Sequence, residues 1–105
     1  MTFKAVILLS RRADMTPDEF RRWWLHEHAP LAAQLPGARR IVFNPCTPDD
    51  DIDGVSELWF DSEDDFTAAY ATDVGRQVTA DSMAHLRSRV RLFTTEHVVV
   101  DAGTT

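Results

Sequence analysis

Residues 16–37 read TPDEFRRWWLHEHAPLAAQLPG. Thr16 suits a helix cap, Pro17 suits the first helical position, and Glu19 completes a Thr-x-x-Glu capping box. Pro36-Gly37 stops the helix, so it is expected to run to about Gln34-Leu35. Between these ends Phe20, Trp24, His28, Leu31 and Leu35 recur at steps of 4, 4, 3 and 4, which is one helical stripe. The stretch therefore predicts an amphipathic helix with one imidazole set into its apolar seam.

Working outward, Phe3 to Leu9 is an aliphatic run of strand length ending at Ser10. After the helix, Ala38 to Cys46 reads as a strand, Thr47 to Gly54 as an acidic loop, and Val55 to Phe60 as a third strand. Ser62 and the acids Glu63, Asp64 and Asp65 start a second helix. That helix carries Phe66, Ala69 and Tyr70, breaks near Asp73-Val74-Gly75 and resumes from Val78 to about Leu86. Arg91 to Val100 is read as the last strand. The order β-α-β-β-α-β is the ferredoxin-like arrangement of the α+β class: a four-stranded antiparallel sheet with both helices on one face. In the third strand Val55, Glu57 and Trp59 point one way and Ser56, Leu58 and Phe60 the other. Large apolar groups occur on both sides, so the face without helices is expected to pack against a second copy, giving a homodimer.

The whole chain, residues 1–105, is read as a single domain; 44% of it is hydrophobic. A net charge of −6 argues against nucleic acid as a partner. The basic clusters Arg11-Arg12, Arg21-Arg22, Arg39-Arg40 and Arg87/Arg89/Arg91 are read as solvated or dimer-edge positions. Cys46 is the single cysteine, which excludes an intrachain disulfide. The apolar run Ala5 to Leu9 is far shorter than the ~18 residues of a membrane helix. No membrane partner is expected, and the expected location is the cytoplasm.

His28 is the first candidate for chemistry. An imidazole on an apolar stripe must find a hydrogen-bond partner or face a cavity. Beside a carboxylate it can serve as a general base near neutral pH; satisfied by the sheet, it only fixes the helix. A cavity on the order of 300 Å³ beside it would mark a ligand site. Glu57, central in an apolar strand, has two readings: a partner of His28 across the sheet, or a partner of Arg40 or Arg91 across a dimer. His26-Glu27-His28 does not chelate from a helix, since residues two apart point to opposite sides. His28 with His85 or His97 is a weaker zinc reading. Asp49, Asp51, Asp53 and Gly54 match the first half of a calcium loop, but its twelfth position is Phe60 instead of Glu. No metal is expected. Cys46 has no adjacent activating group, and Ser10, Ser56 and Ser62 lack the Gly-x-Ser-x-Gly elbow. Four glycines form no phosphate-cradling loop, so no nucleotide or flavin cofactor is expected.

The helix pattern Trp24-x-x-x-His28-x-Pro30-Leu31, followed by Pro36-Gly37, resembles the signature of EthD-domain proteins. Glu57-Leu58-Trp59-Phe60-Asp61-Ser62 resembles that family's central strand and turn, and Ala80-Asp81 and Glu96 its later landmarks. His85 departs from the pattern, standing where relatives tend to place an aromatic residue. The resemblance spans about Phe3 to Val100 and implies a dimeric α+β barrel, with two sheets back to back and helices outside. The wider superfamily holds cofactor-independent monooxygenases, lactone isomerases and aromatic polyketide cyclases, and members of ether-degradation gene clusters. It implies a pocket between sheet and helices for a small apolar or aromatic metabolite, with His28 facing it and Glu57 as a second catalytic candidate. By position Pro30 and Leu31 would shape the rim, and Trp24, Phe43 and Trp59 the walls. The implied function is a cofactor-independent proton-transfer, isomerase, cyclase or monooxygenase activity. The alternative is a noncatalytic binding or accessory protein of a degradation pathway.

Overall fold

Thr16 opens the first helix through the reciprocal bonds of a capping box. Its hydroxyl accepts from the Glu19 N–H at 3.1 Å, and the Glu19 carboxylate accepts from the Thr16 N–H at 2.8 Å. The structure is a computed structural model that describes residues 3–47 and 51–103. The helix is built in three consecutive pieces: α1 (Pro17–Arg22), a π-helical segment (Trp23–His28) and α2 (Ala29–Ala32). The sequence stripe predicts uninterrupted α-helix here, so the π-segment is a correction. Pro30 supplies one cause: it has no N–H to donate and its ring crowds the carbonyl four residues back, which a wider turn just upstream relieves. Helix ends at Ala32, yet Leu35 is still buried, its N–H bonded to the Ala32 carbonyl at 3.1 Å.

The four strands β1 (Phe3–Arg11), β2 (Arg40–Pro45), β3 (Gly54–Phe60) and β4 (Leu86–Thr95) form one antiparallel sheet in the order β2-β3-β1-β4. This is the ferredoxin-like fold. Ser62 caps α3 (Glu63–Tyr70), and Thr72 caps α4 (Asp73–His85). The break between these helices falls at Ala71–Thr72, just before the Asp73–Gly75 stretch the sequence suggests. Gly75 lies inside α4, where a Cβ would stand 2.3 Å from the Ala69 carbonyl oxygen. It allows close helix contact and does not break the helix.

The largest displacement from expectation is the last strand, which begins at Leu86 and ends at Thr95, five residues ahead of the Arg91–Val100 reading. The apolar run Val98-Val99-Val100 suggested the later strand but lies beyond the paired segment and is exposed. The pairs Leu9↔Arg89, Ile7↔Arg91 and Ala5↔Phe93 put Arg89 and Arg91 on the helix side of the sheet. For Arg89 this overturns the reading as a solvated or dimer-edge residue.

One alternation of the strands (Ala5, Ile7, Leu9, Leu58, Phe60) is buried under Phe20, Trp23, Trp24, Phe66 and Val78 of the helices. Gly54 fits beneath Trp24, whose ring atoms would lie 2.6 Å from any Cβ there. The opposite alternation carries Val6, Leu8, Val42, Val55, Val90 and Leu92 with no helix over it. Val90 and Leu92 are 44% and 46% exposed, a surplus of apolar surface for an isolated subunit. Among the described residues, no helix is long and apolar enough to cross a membrane.

Candidate functional site

The π-segment sets the geometry of the site. In an α-helix, residues five apart differ by about 140° around the axis and cannot reach one neighbour. Here the Ala29 N–H bonds back to the Trp24 carbonyl, a five-residue step, and the wider turn brings Trp23 and His28 together. Their ring centroids are 4.9 Å apart. Both reach the same oxygen of Asp81 on α4: Trp23 Nε1 donates to Oδ2 at 3.1 Å, and His28 Nδ1 lies 2.7 Å from it. His85, one turn further along α4, stacks on Trp23 at 4.3 Å, and its Nδ1 donates to the Asp81 carbonyl at 2.8 Å. The carboxylate that orients His28 thus takes both its hydrogen bonds from the π-segment, with His85 Nδ1 3.5 Å from its other oxygen.

His28 is only 5% exposed. Burial pushes its pKa below the usual histidine value, opposed by the bond to and charge of Asp81; nearby His85 and Arg89 add to the lowering. The ring is therefore neutral at neutral pH. With a carboxylate at Nδ1, that nitrogen carries the proton, and Nε2 is left as the basic lone pair. Ser82 Oγ stands 3.4 Å from Nε2, a long contact.

The His28 ring lines a small, partly open cavity between the helices and the sheet. Ile7, Leu9, Ser56 and Leu58 form its floor, and Ala32 and Val78 cover it. Tyr70, Ser82 and Arg89 supply its other polar groups, and Phe43 closes one side. Its volume is about 20 Å³, room for a single water, not the hundreds of Å³ expected from the sequence. Phe43 also lines an open groove of about 290 Å³ on the protein's outside, with Leu25, Ala29, Ala33 and Ile41. One aromatic ring thus separates a water-sized polar chamber from an apolar groove of ligand size.

The sequence-derived residues divide sharply. His28 and Phe43 meet in the chamber, their rings 6.1 Å apart. Trp24 stands behind Phe43, stacked flat on it at 4.5 Å and 4°, and its buried Nε1 has no partner among the described residues. It supports the wall without lining the cavity. Pro30 is exposed and Leu31 half-buried against the core, and neither lines the chamber.

Glu57 and Trp59 lie on the opposite sheet face. Within the subunit Lys4 Nζ donates to Glu57 at 2.9 Å and Asn44 donates to it at 3.1 Å. The Lys4 bond holds the Glu57 carboxyl below its usual pKa. Trp59 Nε1 donates to Glu96 at 2.6 Å, with Lys4 and Arg40 over its ring. Strand alternation keeps both residues from His28.

Of the calcium-like loop, Asp49 and Asp50 fall outside the described residues. Asp53 is buried and accepts from Arg11 Nη1 at 2.7 Å and from the Arg11 N–H at 2.9 Å. Among the described residues, no three His, Cys, Asp or Glu side chains gather to hold a metal.

Comparison with known proteins places this geometry. A family model described as EthD domain matches residues 12–86, most of the chain. The chain belongs to the EthD family. The matched span holds Trp23, His28, Asp81 and Ser82 and stops just before Arg89. No curated protein matches the chain. Among solved structures, an ethyl tert-butyl ether d (EthD) family protein from Bacillus halodurans superposes with a TM-score of 0.81 at 22% identity, covering 92% of this chain and 100% of its own. A dimeric ferredoxin-like protein of unknown function from Thermobifida fusca gives 0.74 at 20% identity, covering 91% and 92%. A variant of SnoaB, a cofactor-independent oxygenase from Streptomyces nogalater, gives 0.72 at 18%, covering 94% and 96%. At these identities the likeness speaks for the EthD fold alone.

Sequence reasoning missed Trp23, Tyr70, Ser82 and Arg89 as site residues, and met Asp81 only as a landmark of the resemblance. Val78 and Ser82, four apart and both buried, carried a usable helical signal. Trp23 carried none, because α-helical spacing points it away from His28.

Proposed function

We propose that this EthD protein is a cofactor-independent proton-transfer enzyme acting on a small apolar or aromatic metabolite, with His28 as general base. The observation that carries this reading is the 2.7 Å contact between His28 Nδ1 and Asp81, which leaves Nε2 unprotonated on a ring that lines the chamber. Nε2 takes a proton from a carbon next to a carbonyl or from a phenolic hydroxyl. The bonding electron pair stays on the substrate as an enolate or phenolate, and Asp81 stabilises the imidazolium. Return of a proton from the imidazolium, which exchanges with solvent in the interval, to another atom of the substrate completes an isomerisation or ring closure without any co-reactant. The apolar body of the substrate occupies the groove at Leu25, Ala29 and Ile41, and displacement of Phe43 admits its reactive end. Cofactor-independent chemistry on the same fold in SnoaB supports the reading.

The assembly proposed is a homodimer through the helix-free sheet face, supported by the half-exposed Val90 and Leu92 and by dimeric relatives of the same fold. A cytoplasmic location belongs to the same proposal, resting on the single cysteine.

The test is solvent deuterium incorporation into a panel of enolisable aromatic and lactone compounds, read by mass spectrometry. Wild type is expected to exchange a substrate hydrogen, with His28→Ala and His28→Gln slower by about 10²–10⁴-fold at unchanged circular dichroism. Equal exchange in wild type and both variants removes the base. Binding without exchange in wild type makes the protein a noncatalytic carrier.

A further inference from the structure

Arg89 is the cavity residue left without a counter-charge. The cavity lining otherwise holds hydroxyls, a neutral imidazole and hydrocarbon. Arg11, Arg12, Arg39 and Arg76 pair with Asp53, Asp14, Asp61 and Asp73; Arg21, Arg22, Arg40, Arg87 and Arg91 form no such pair among the described residues, but none of these lines the cavity. Arg89 is half-buried, and among the described residues no carboxylate lies within ion-pair distance of it. Tyr70 lines the cavity beside it, and the guanidinium charge acts on that phenol, opposing the effect of burial. Burial raises the Tyr70 pKa, so the phenol keeps its proton and remains a donor. A partly desolvated guanidinium costs free energy unless something anionic completes its hydrogen bonding. Asp81 does not serve, since its Oδ2 is occupied by Trp23 and His28.

The placement of this charge is chemically specific. Arg89 and His28 line the same water-sized space, and Arg89 also borders an outer pocket with Met83, Leu86, Arg87 and Ser88. Removing a proton from carbon or hydroxyl leaves negative charge on an oxygen next to the site of abstraction. A fixed cation facing that oxygen lowers the barrier most when little water is present, and here the chamber has room for a single water.

We infer that Arg89, with Tyr70 beside it, is the oxyanion-binding residue of this cavity, and that the natural ligand presents an oxygen that is anionic or becomes so: a phenol, an enol or a carboxylate. This rests on the reading of the chamber as the ligand site and names the substrate class that the base serves. Simple hydrocarbons and ethers, which hold no such oxygen, are excluded as ligands of the inner chamber.

Two probes of similar ring size distinguish the sources of the oxyanion. Benzoate supplies a carboxylate, and 4-nitrophenol a phenolate whose ionisation is visible by absorbance. Each is titrated into wild type, Arg89→Lys and Arg89→Met, with circular dichroism and thermal melting as controls for folding. Wild type is expected to bind at least one probe, with Arg89→Met weaker by about tenfold or more and Arg89→Lys in between, matching loss of one charge-assisted hydrogen bond. Bound 4-nitrophenol should ionise at lower pH than the free compound in wild type and lose that shift in Arg89→Met. Arg89-dependent binding of benzoate alone identifies a carboxylate ligand and supports the inference. No binding of either probe to wild type, or equal binding to all three proteins, overturns it.

His28→Gln separates this inference from the proposed reaction. Arg89-dependent binding that survives in His28→Gln, with deuterium exchange unaffected by that substitution, retires the base and keeps the oxyanion site. Exchange that needs His28 while probe binding ignores Arg89 does the reverse.

Discussion

Each side of the sheet has a half-buried carboxylate, Glu57 on β3 at the outer face and Asp81 on α4 over the inner face, and the two are used differently. On the outer face Glu57 is neutralised by Lys4 at 2.9 Å, with Glu96 a second acid near the same ammonium at 3.7 Å. On the inner face Asp81 meets no full cation. It holds a neutral imidazole and an indole N–H, so its charge is available to stabilise a proton arriving on His28. A carboxylate matched by a lysine does structural work at a wet surface. One equally exposed but bonded to an indole and a buried imidazole remains poised to respond to chemistry on that imidazole.

The comparison breaks most strongly at the two carboxylates themselves. Asp81→Asn removes the charge that stabilises the imidazolium and permits the wrong ring tautomer. Proton exchange should fall on the order of 10²-fold, while Glu57→Gln changes it less than about twofold. Deuterium incorporation measured on both variants checks this, and comparable losses would erase the distinction between the faces. The next effect concerns the outer face alone. Leu92→Arg places a charge on the exposed apolar stripe and should convert the dimer to monomer in sedimentation velocity, with the fold retained. A wild type that sediments as a monomer at all concentrations removes that face as an interface.

Packing gives a smaller contrast. Gly54→Ala pushes a methyl into the Trp24 ring and should destabilise by about 1–3 kcal/mol in urea unfolding, whereas Val55→Ala on the outer face should cost less than its neighbour. The smallest effects are those of pH. His28 has a folded pKa below its ordinary value, so the unfolded chain takes up that proton first. Its contribution to stability is complete above about 6.5 and is lost as pH falls through the lowered folded value. The groups facing it are Asp81 and His85 on α4 and Arg89 on β4, so Asp81→Asn should depress its pKa further in an NMR titration. Glu57 has the same sign in a lower window. Its contribution is complete above its ordinary value near 4.5 and disappears as pH falls through its depressed folded value. Stability curves of His28→Gln and Glu57→Gln should therefore diverge from wild type in separate pH ranges.

Local rules made much of the fold legible. The capping box at Thr16, the Ser62 cap, the alternation along Val55–Phe60 and the order of elements are statements about neighbours in the chain, and each is present in the structure. The alternation even separates Glu57 and Trp59 from Leu58 and Phe60, which is why those two residues stand away from His28. The seam of Phe20, Trp24 and His28 is buried as its spacing requires. What failed locally was strand β4, where alternating arginines and hydrophobics carry no clear apolar face and the exposed valines beyond look more strand-like.

The amino-acid order by itself determined a ferredoxin-like chain with a histidine sunk into its first helix, because capping, periodicity and turn chemistry act over a few residues. Only the tertiary structure decided what that histidine meets. A π-turn redirected Trp23 and His28 onto one oxygen of Asp81, fifty-three residues away from His28, and strand register carried Arg89 into the same chamber. Both outcomes depend on a shift in helical pitch and on pairing between distant strands. Those are fixed by how whole elements pack, not by any preference written in a local stretch of chain.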